Sequence, residues 1–342
     1  MSPSTRSRPA TAYRTCAGGS RSVGGNAWRV LRPLLSRLGQ AGLVALLVGC
    51  IGFALMHALP GDQAFRLAAE RYGPDIVDAR AAAAMRAELG LDRPLALQLL
   101  EWLGRVVRLD LGRSLVTGEP VIQELRVQLG YTALLAGMAL PLSALIGLPL
   151  GIAAGLWRGR WPDHAVLSLA VLLRAVPAYA LGLALMVLLS VRLRWLPPGG
   201  FEGWAELVLP SLTLALGLAA VSSRVARESV AAVAASPVLA FARWKGLSER
   251  DAVRRHGLRN AAIPVLAVLG LQLIGLVEGI LIVETLFGWP GIGHALVHAI
   301  FARDVPLVQG TALIMGLGVV LLNAAVDLAC LLIDPRRGRQ AA

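Results

Sequence analysis

The amino-acid sequence predicts an all-α membrane protein with six transmembrane helices and a large extracytoplasmic loop after the first. Three observations carry that expectation. Hydrophobic residues make up 56% of the 342 and charged residues 16%, where soluble domains average roughly 45–50% and about 25%; mean hydropathy is +0.66. Six apolar runs lie near Leu38–Leu59, Tyr131–Trp157, Ala165–Val191, Leu207–Val225, Ile263–Phe287 and Leu307–Ile333. Each is long enough for a hydrocarbon core about 30 Å thick. Basic segments also alternate with balanced ones along the chain, as the positive-inside rule produces.

The net charge of +12 invites a nucleic-acid reading, but its placement argues against a nucleic-acid partner. Arginines crowd the N-terminal tail, and Arg158 and Arg160 share a short loop. Arg243, Lys245, Arg250, Arg254, Arg255 and Arg259 lie between two apolar runs, and Arg336, Arg337 and Arg339 close the chain. Residues 61–130 are nearly neutral. This pattern places both termini and residues 226–262 in the cytoplasm, and residues 61–130, 192–206 and 288–306 outside, with Arg192 and Arg194 as exceptions. Cys16, Cys50 and Cys330 are too scattered for a disulfide framework or a metal site. Cys50 ends a lipoprotein-like Leu47-Val-Gly-Cys50, yet the apolar run continues to Met56, so it reads as a span residue.

In chain order, residues 1–33 form a basic tail. Its Arg- and Ser-rich composition suits either a targeting peptide or a disordered segment, and the lack of any apolar period favours the second. Residues 34–342 form the transmembrane domain. In the outer loop, 60–130, Ala79–Glu88 is helical in character. Pro94 then opens an amphipathic run with Leu95, Leu99, Trp102, Leu103 and Val106 at helical spacing. Such a cap suits the sealing of a pore, the capture of a binding protein or simple stabilisation.

The polar stretch 226–262 is strongly punctuated. Ser236-Pro237 is a helix start, Gly246 a helix stop, and Ser248 with Asp251 a second N-terminus. Val238, Leu239, Phe241, Ala242 and Trp244 offer anchors for a partner's groove. The same pattern suits a basic amphipathic helix lying on lipid headgroups, with Trp244 at the interface. No Gly-x-x-x-x-Gly-Lys-[Ser/Thr] occurs, so any ATP hydrolysis belongs to another subunit. No cofactor motif, internal repeat or catalytic constellation stands out.

Two constellations remain. Arg174 and Glu278 fall inside spans, where ionisable side chains mark pathways or pairs. They suggest a conduit, or the relay of a proton-coupled secondary transporter, while Arg174 also suits snorkelling toward the cytoplasm. His294 and His298 share a helix face near Asp304, and imidazoles suit nickel. With no third ligand at defined spacing, a solvated loop is the expectation there.

Several motifs recur in order: Leu59-Pro-Gly-Asp62, Gly90-Leu-Asp-Arg-Pro94, Asp110-Leu-Gly-Arg-Ser114, Gly147-Leu-Pro-Leu-Gly151, Ala242-Arg-Trp-Lys-Gly-Leu-Ser248, Leu258-Arg-Asn-Ala-Ala-Ile-Pro264, Val283-Glu-Thr-Leu-Phe287, Gly288-Trp-Pro-Gly-Ile-Gly293, Ala302-Arg-Asp304 and Asp334-Pro-Arg336. From about residue 35 to 337 the chain resembles the permease subunits of dipeptide/oligopeptide/nickel-type ABC importers, and the large outer loop resembles the first of two paired permeases. The resemblance implies an inner-membrane subunit working with a second homologous permease, two cytoplasmic ATPases and an extracytoplasmic substrate-binding protein. It also implies that Leu239, Ala240, Phe241, Ala242, Arg243, Trp244, Lys245 and Gly246 form the ATPase-docking element. Trp244 replaces an alanine of the peptide-importer pattern, and Ser236-Pro237-Val238 stands where acidic and tyrosine residues are usual.

Overall fold

The computed structural model describes residues 24–58, 65, 79–88, 93–108, 110–248, 251 and 258–333. Among these the elements are α1 (Gly24–Ala58), α2 (Ala79–Glu88), α3 (Leu95–Val107), α4 (Val121–Leu156), α5 (Trp161–Ala175), α6 (Ala178–Leu185) continued by a π-helical segment (Met186–Arg192), α7 (Trp204–Ala234), α8 (Pro237–Trp244), α9 (Leu258–Phe287), α10 (Ile292–Phe301) and α11 (Val305–Ile333). Among the described residues, four helices are individually long and apolar enough to cross a membrane, or up to six if each of two bent pairs is one span. The chain is therefore a multi-pass α-helical membrane protein.

The bundle is built on α4 and α7, which pack along each other, with α9 laid against α7. Glycines at a spacing of four make the closeness of α4 and α7 achievable. A Cβ on Gly147 would lie 2.9 Å from the Ala219 carbonyl oxygen, one on Gly151 2.7 Å from Ala226 Cβ, and one on Gly155 2.8 Å from the Arg227 carbonyl oxygen. Small side chains on α7 complete the seam: Ala219, Ser222, Ser223 and Ala226 are all buried. Lipid supplies no hydrophobic drive between helices, so such backbone proximity is the main source of packing energy.

A second group, α1 and α11, packs together at one flank, and α3 lies on α1. Arg37, near the start of the apolar stretch Leu35–Leu55 of α1, donates from Nε (3.1 Å) and a terminal nitrogen (2.5 Å) to Asp327 Oδ2 near the end of α11. This contact ties α1 to α11 beside the start of the apolar stretch of α1.

The sequence-based spans are corrected in three places. The expected continuous span Ala165–Val191 is two helices, α5 and α6, meeting at 105°. Pro177 is the cause: its ring disfavours helical geometry at the preceding residue, and Val176 is extended at φ −85°, ψ 126°. α4 begins at Val121, ten residues before the apolar run expected near Tyr131. Last, the expected outer loop 288–306 contains a helix, α10, which shares a buried cluster of Val121, Leu125, Ile292, Ala299 and Leu307 with α4 and α11.

Candidate functional site

α8 is a short helix fixed at the end of α7. Only Ala235 and Ser236 separate them, and the Ser236 amide donates to the Val233 carbonyl at 3.0 Å, so the chain turns without slack. Proline at the first helical position fits because that amide has no partner in a helix. The Lys245 amide donates to the Phe241 carbonyl at 3.1 Å, and Gly246 then ends the helix at φ +87°, a left-handed conformation that favours glycine. Beyond the corner, the Asp251 amide donates to Ser248 Oγ at 3.2 Å; the second helix expected from Ser248 lies outside the described residues.

The structure brings all eight sequence-predicted docking residues onto α8 or its corner. Phe241 is 56% exposed and Trp244 86%. The Lys245 ammonium lies 4.7 Å above the Phe241 ring. The side chains of Leu239, Ala242 and Arg243 fall outside the described residues.

The region below α8 is braced by a pair that sequence reasoning missed. Asp163, in the first turn of α5, accepts from Arg227 Nε at 2.5 Å and from a terminal nitrogen at 2.9 Å. The Gly159 amide adds a third hydrogen bond at 2.8 Å. Both side chains are nearly sealed, at 2% and 11% exposure. This planar two-point contact locks α5 to α7 about two turns before α7 ends. The signal was a carboxylate placed just after Trp161-Pro162, a helix start, but its partner lies 64 residues away.

Between the broken span α5–α6, α7 and α9 is a cavity of about 480 Å³. Arg174 lines it from the last turn of α5. Opposite are Thr213 and Gly217 of α7 with Gln272 and Gly275 of α9. Gln272 donates to the Leu218 carbonyl at 2.7 Å, while its own side-chain oxygen has no partner among the described residues. A Cβ on Gly217 or Gly275 would meet no atom within 4 Å, so packing does not demand glycine at either position; both keep the cavity wide. Glu278 precedes Gly279, which also lines the cavity. Its side chain, and hence the expected Arg174–Glu278 contact, falls outside the described residues.

At the far end of the bundle, two buried carboxylates hold the motifs around residues 284–293 and 110–114. Glu284, fully buried, accepts from Thr132 Oγ1 at 2.6 Å and from the Gly293 amide at 2.7 Å. The carboxylate thus caps the N-terminus of α10, where unpaired amides and the helix dipole favour an anion. Glycine is required at 291, because a Cβ there would overlap that carboxylate. Trp289 donates from its indole nitrogen to the Tyr131 carbonyl at 3.0 Å, pinning the corner to α4. Asp304, also fully buried, caps α11: Ser114 Oγ donates to it at 2.5 Å, and the Leu115 and Leu307 amides at 3.1 Å.

His294 and His298 belong to α10, not to the solvated loop expected there. Their rings are 4.4 Å apart at 63°, and burial, with His298 alongside, holds His294 below the ordinary imidazole pKa.

Comparison with known proteins decides what this arrangement belongs to. Residues 147–339 match the family described as binding-protein-dependent transport system inner membrane component. Residues 30–136 match the N-terminal region of such membrane components. The chain belongs to this family. It is 41% identical over 306 residues to the glutathione transport system permease protein GsiC of Salmonella choleraesuis (strain SC-B67), an alignment covering 90% of this chain and 97% of that one. The corresponding GsiC of Escherichia coli (strain K12) is 39% identical at the same coverage, and that of Pectobacterium atrosepticum 40% identical over 85% of this chain and 93% of its own. Among solved structures, the MetNI methionine ABC transporter in an inward-facing form shares the fold, with a TM-score of 0.50 over 62% of this chain and 97% of that one at 18% identity. The chain is thus an ABC-importer permease subunit, a transport component that works with ATPase subunits and a substrate-binding protein. The proton-coupled secondary transporter, the rival reading of Arg174 and Glu278, finds no support.

Proposed function

We propose that this permease forms half of the translocation pathway of an ATP-driven importer for peptides or a similar small solute. It pairs with a second homologous permease above two cytoplasmic ATPases and receives substrate from an extracytoplasmic binding protein. Both termini and α8 face the cytoplasm, which the basic residues of the tail, of residues 226–262 and of the C-terminus favour.

α8 is the docking lever: Phe241 and Trp244 enter a groove on the ATPase, and Lys245 and Arg243 steer the encounter. Movement of α8 is transmitted to α7 through the tight turn at Ala235–Ser236, and Asp163–Arg227 passes it to α5. The cavity beside Arg174 lies between those helices and is this chain's share of the conduit. Its guanidinium favours solutes carrying a carboxylate, which fits a peptide, and the glutathione named for the similar permeases is itself peptide-like. Arg174 with Glu278 biases the selection of substrate along this path.

The observation that carries the reading is the continuity of one helix, α7, which walls the cavity at Gly217 and ends in the exposed α8. Gly246→Val tests it. A β-branched residue at φ +87° strains the corner by roughly 1–3 kcal/mol. The expected outcome is a complex that assembles and traffics normally but no longer couples ATP hydrolysis to uptake. Wild-type uptake in that variant would remove α8 from the coupling path.

A further inference from the structure

At the end of the bundle remote from α8, a second cavity of about 330 Å³ lies between α4, α10 and the turn that carries Ser114. Two buried side-chain atoms on its lining, Gln128 Oε1 and His294 Nδ1, have no hydrogen-bond partner among the described residues. A buried polar atom left unpaired is costly; the Gln128 oxygen offers lone pairs and His294 Nδ1 offers one when the proton is on Nε2, so together they suit a ligand that takes electron pairs. His298 lines the same space one helical turn on, with its ring 4.4 Å from that of His294. A separation of four residues on a helix puts both imidazoles on one face, the arrangement by which paired histidines share an ion. Asp304 also lines the cavity. Its buried carboxylate is held by three hydrogen-bond donors and makes no ion pair with a described residue, so its charge favours a cation nearby.

We propose that this cavity binds a borderline divalent metal ion of the zinc, nickel or copper(II) class through His294, His298 and the side-chain oxygen of Gln128. Imidazole donors select these ions over magnesium or calcium, which take oxygen ligands. The described residues hold no group of three or more His, Cys, Asp or Glu side chains with metal-site geometry. The coordination sphere is therefore completed by the Gln128 amide oxygen and water, and the ion exchanges with solution instead of being a permanent structural part. Because Gln128 is on α4 and both histidines are on α10, a bound ion would tie these helices together beside the Glu284 clamp. Metal at this end of the bundle then restrains the opening of the pathway.

The test uses the complete transporter, purified free of metal, titrated with zinc ion by calorimetry, with nickel ion as a second probe. The wild type is expected to bind one equivalent per copy of this chain and to gain thermal stability from it. His298→Ala, a change at an exposed position that leaves the fold intact, is expected to lose both signals, and Gln128→Leu to weaken them. Uptake by the wild type should fall when zinc is added on the side facing this cavity, while uptake by His298→Ala should not. No zinc binding by the wild type would overturn the proposal, and so would binding unchanged by His298→Ala. Both outcomes leave the docking role of α8 untouched.

Discussion

Glu284 shows how much a single side chain decides. As a sequence feature it is a carboxylate near the end of an apolar run, where packing at a helix end is reason enough for it. In the fold it is sealed and receives hydrogen bonds from Thr132 and from the amide of Gly293, so it joins α4, α9 and the start of α10. Glu284→Ala leaves those donors unpaired, at about 1–3 kcal/mol each. The expected result is a marked fall in the thermal midpoint of the purified transporter, with intact α8 docking in an ATPase pull-down. Gly291 belongs to the same device, since only a residue without a Cβ clears the carboxylate. Asp163 and Arg227 form the equivalent joint near α8. Neither was legible as a pair, because a pair 64 residues apart has no local signature.

At the scale of elements, two kinds of helical glycine behave differently. Gly147, Gly151 and Gly155 are where α4 touches α7, and their four-residue spacing is visible in the sequence, though only the fold identifies the helix they face. Gly217 and Gly275 face open space. Gly151→Leu is expected to separate α4 from α7 and abolish folded protein, measured by monodispersity after detergent extraction. Gly275→Leu is expected to fold normally and to block uptake by filling the cavity. Normal uptake in the latter would exclude the cavity from the pathway. The 105° break between α5 and α6 is a third case. Hydropathy runs unbroken across Val176-Pro177 and so predicts one straight span; the bend follows from the missing amide and the extended residue before it.

For the whole molecule, the union of α1 with α11 through Arg37 and Asp327 and the α4–α7–α9 bundle produce a body whose two ends differ in kind. One end carries the projecting, partly aromatic α8. The other is closed by two buried carboxylate caps, with the histidine-lined cavity among them. Force applied to the first end can reach the second only through rigid helices, which the proline start and glycine corner of α8 and the Asp163–Arg227 brace provide. Reconstituted in vesicles with its partner subunits, the transporter is expected to drive uptake that follows ATP hydrolysis and persists with an uncoupler present. Uptake that collapsed with the proton gradient while ATP was plentiful would count against ATP-driven import.

The sequence by itself determined the class of the protein, the number and approximate place of its apolar runs, and the short helix after Pro237 with its corner at Gly246. These features are local or periodic: hydropathy over some twenty residues and a proline-to-glycine interval depend on nearest neighbours along the chain. Tertiary structure alone decided which motifs meet. It brought Ser114 to Asp304, Thr132 to Glu284 and Asp163 to Arg227, turned the expected outer loop into α10, and bent the third span. Each of those contacts joins residues far apart in the chain, and only the packing of helices at fixed distance and angle sets such separations.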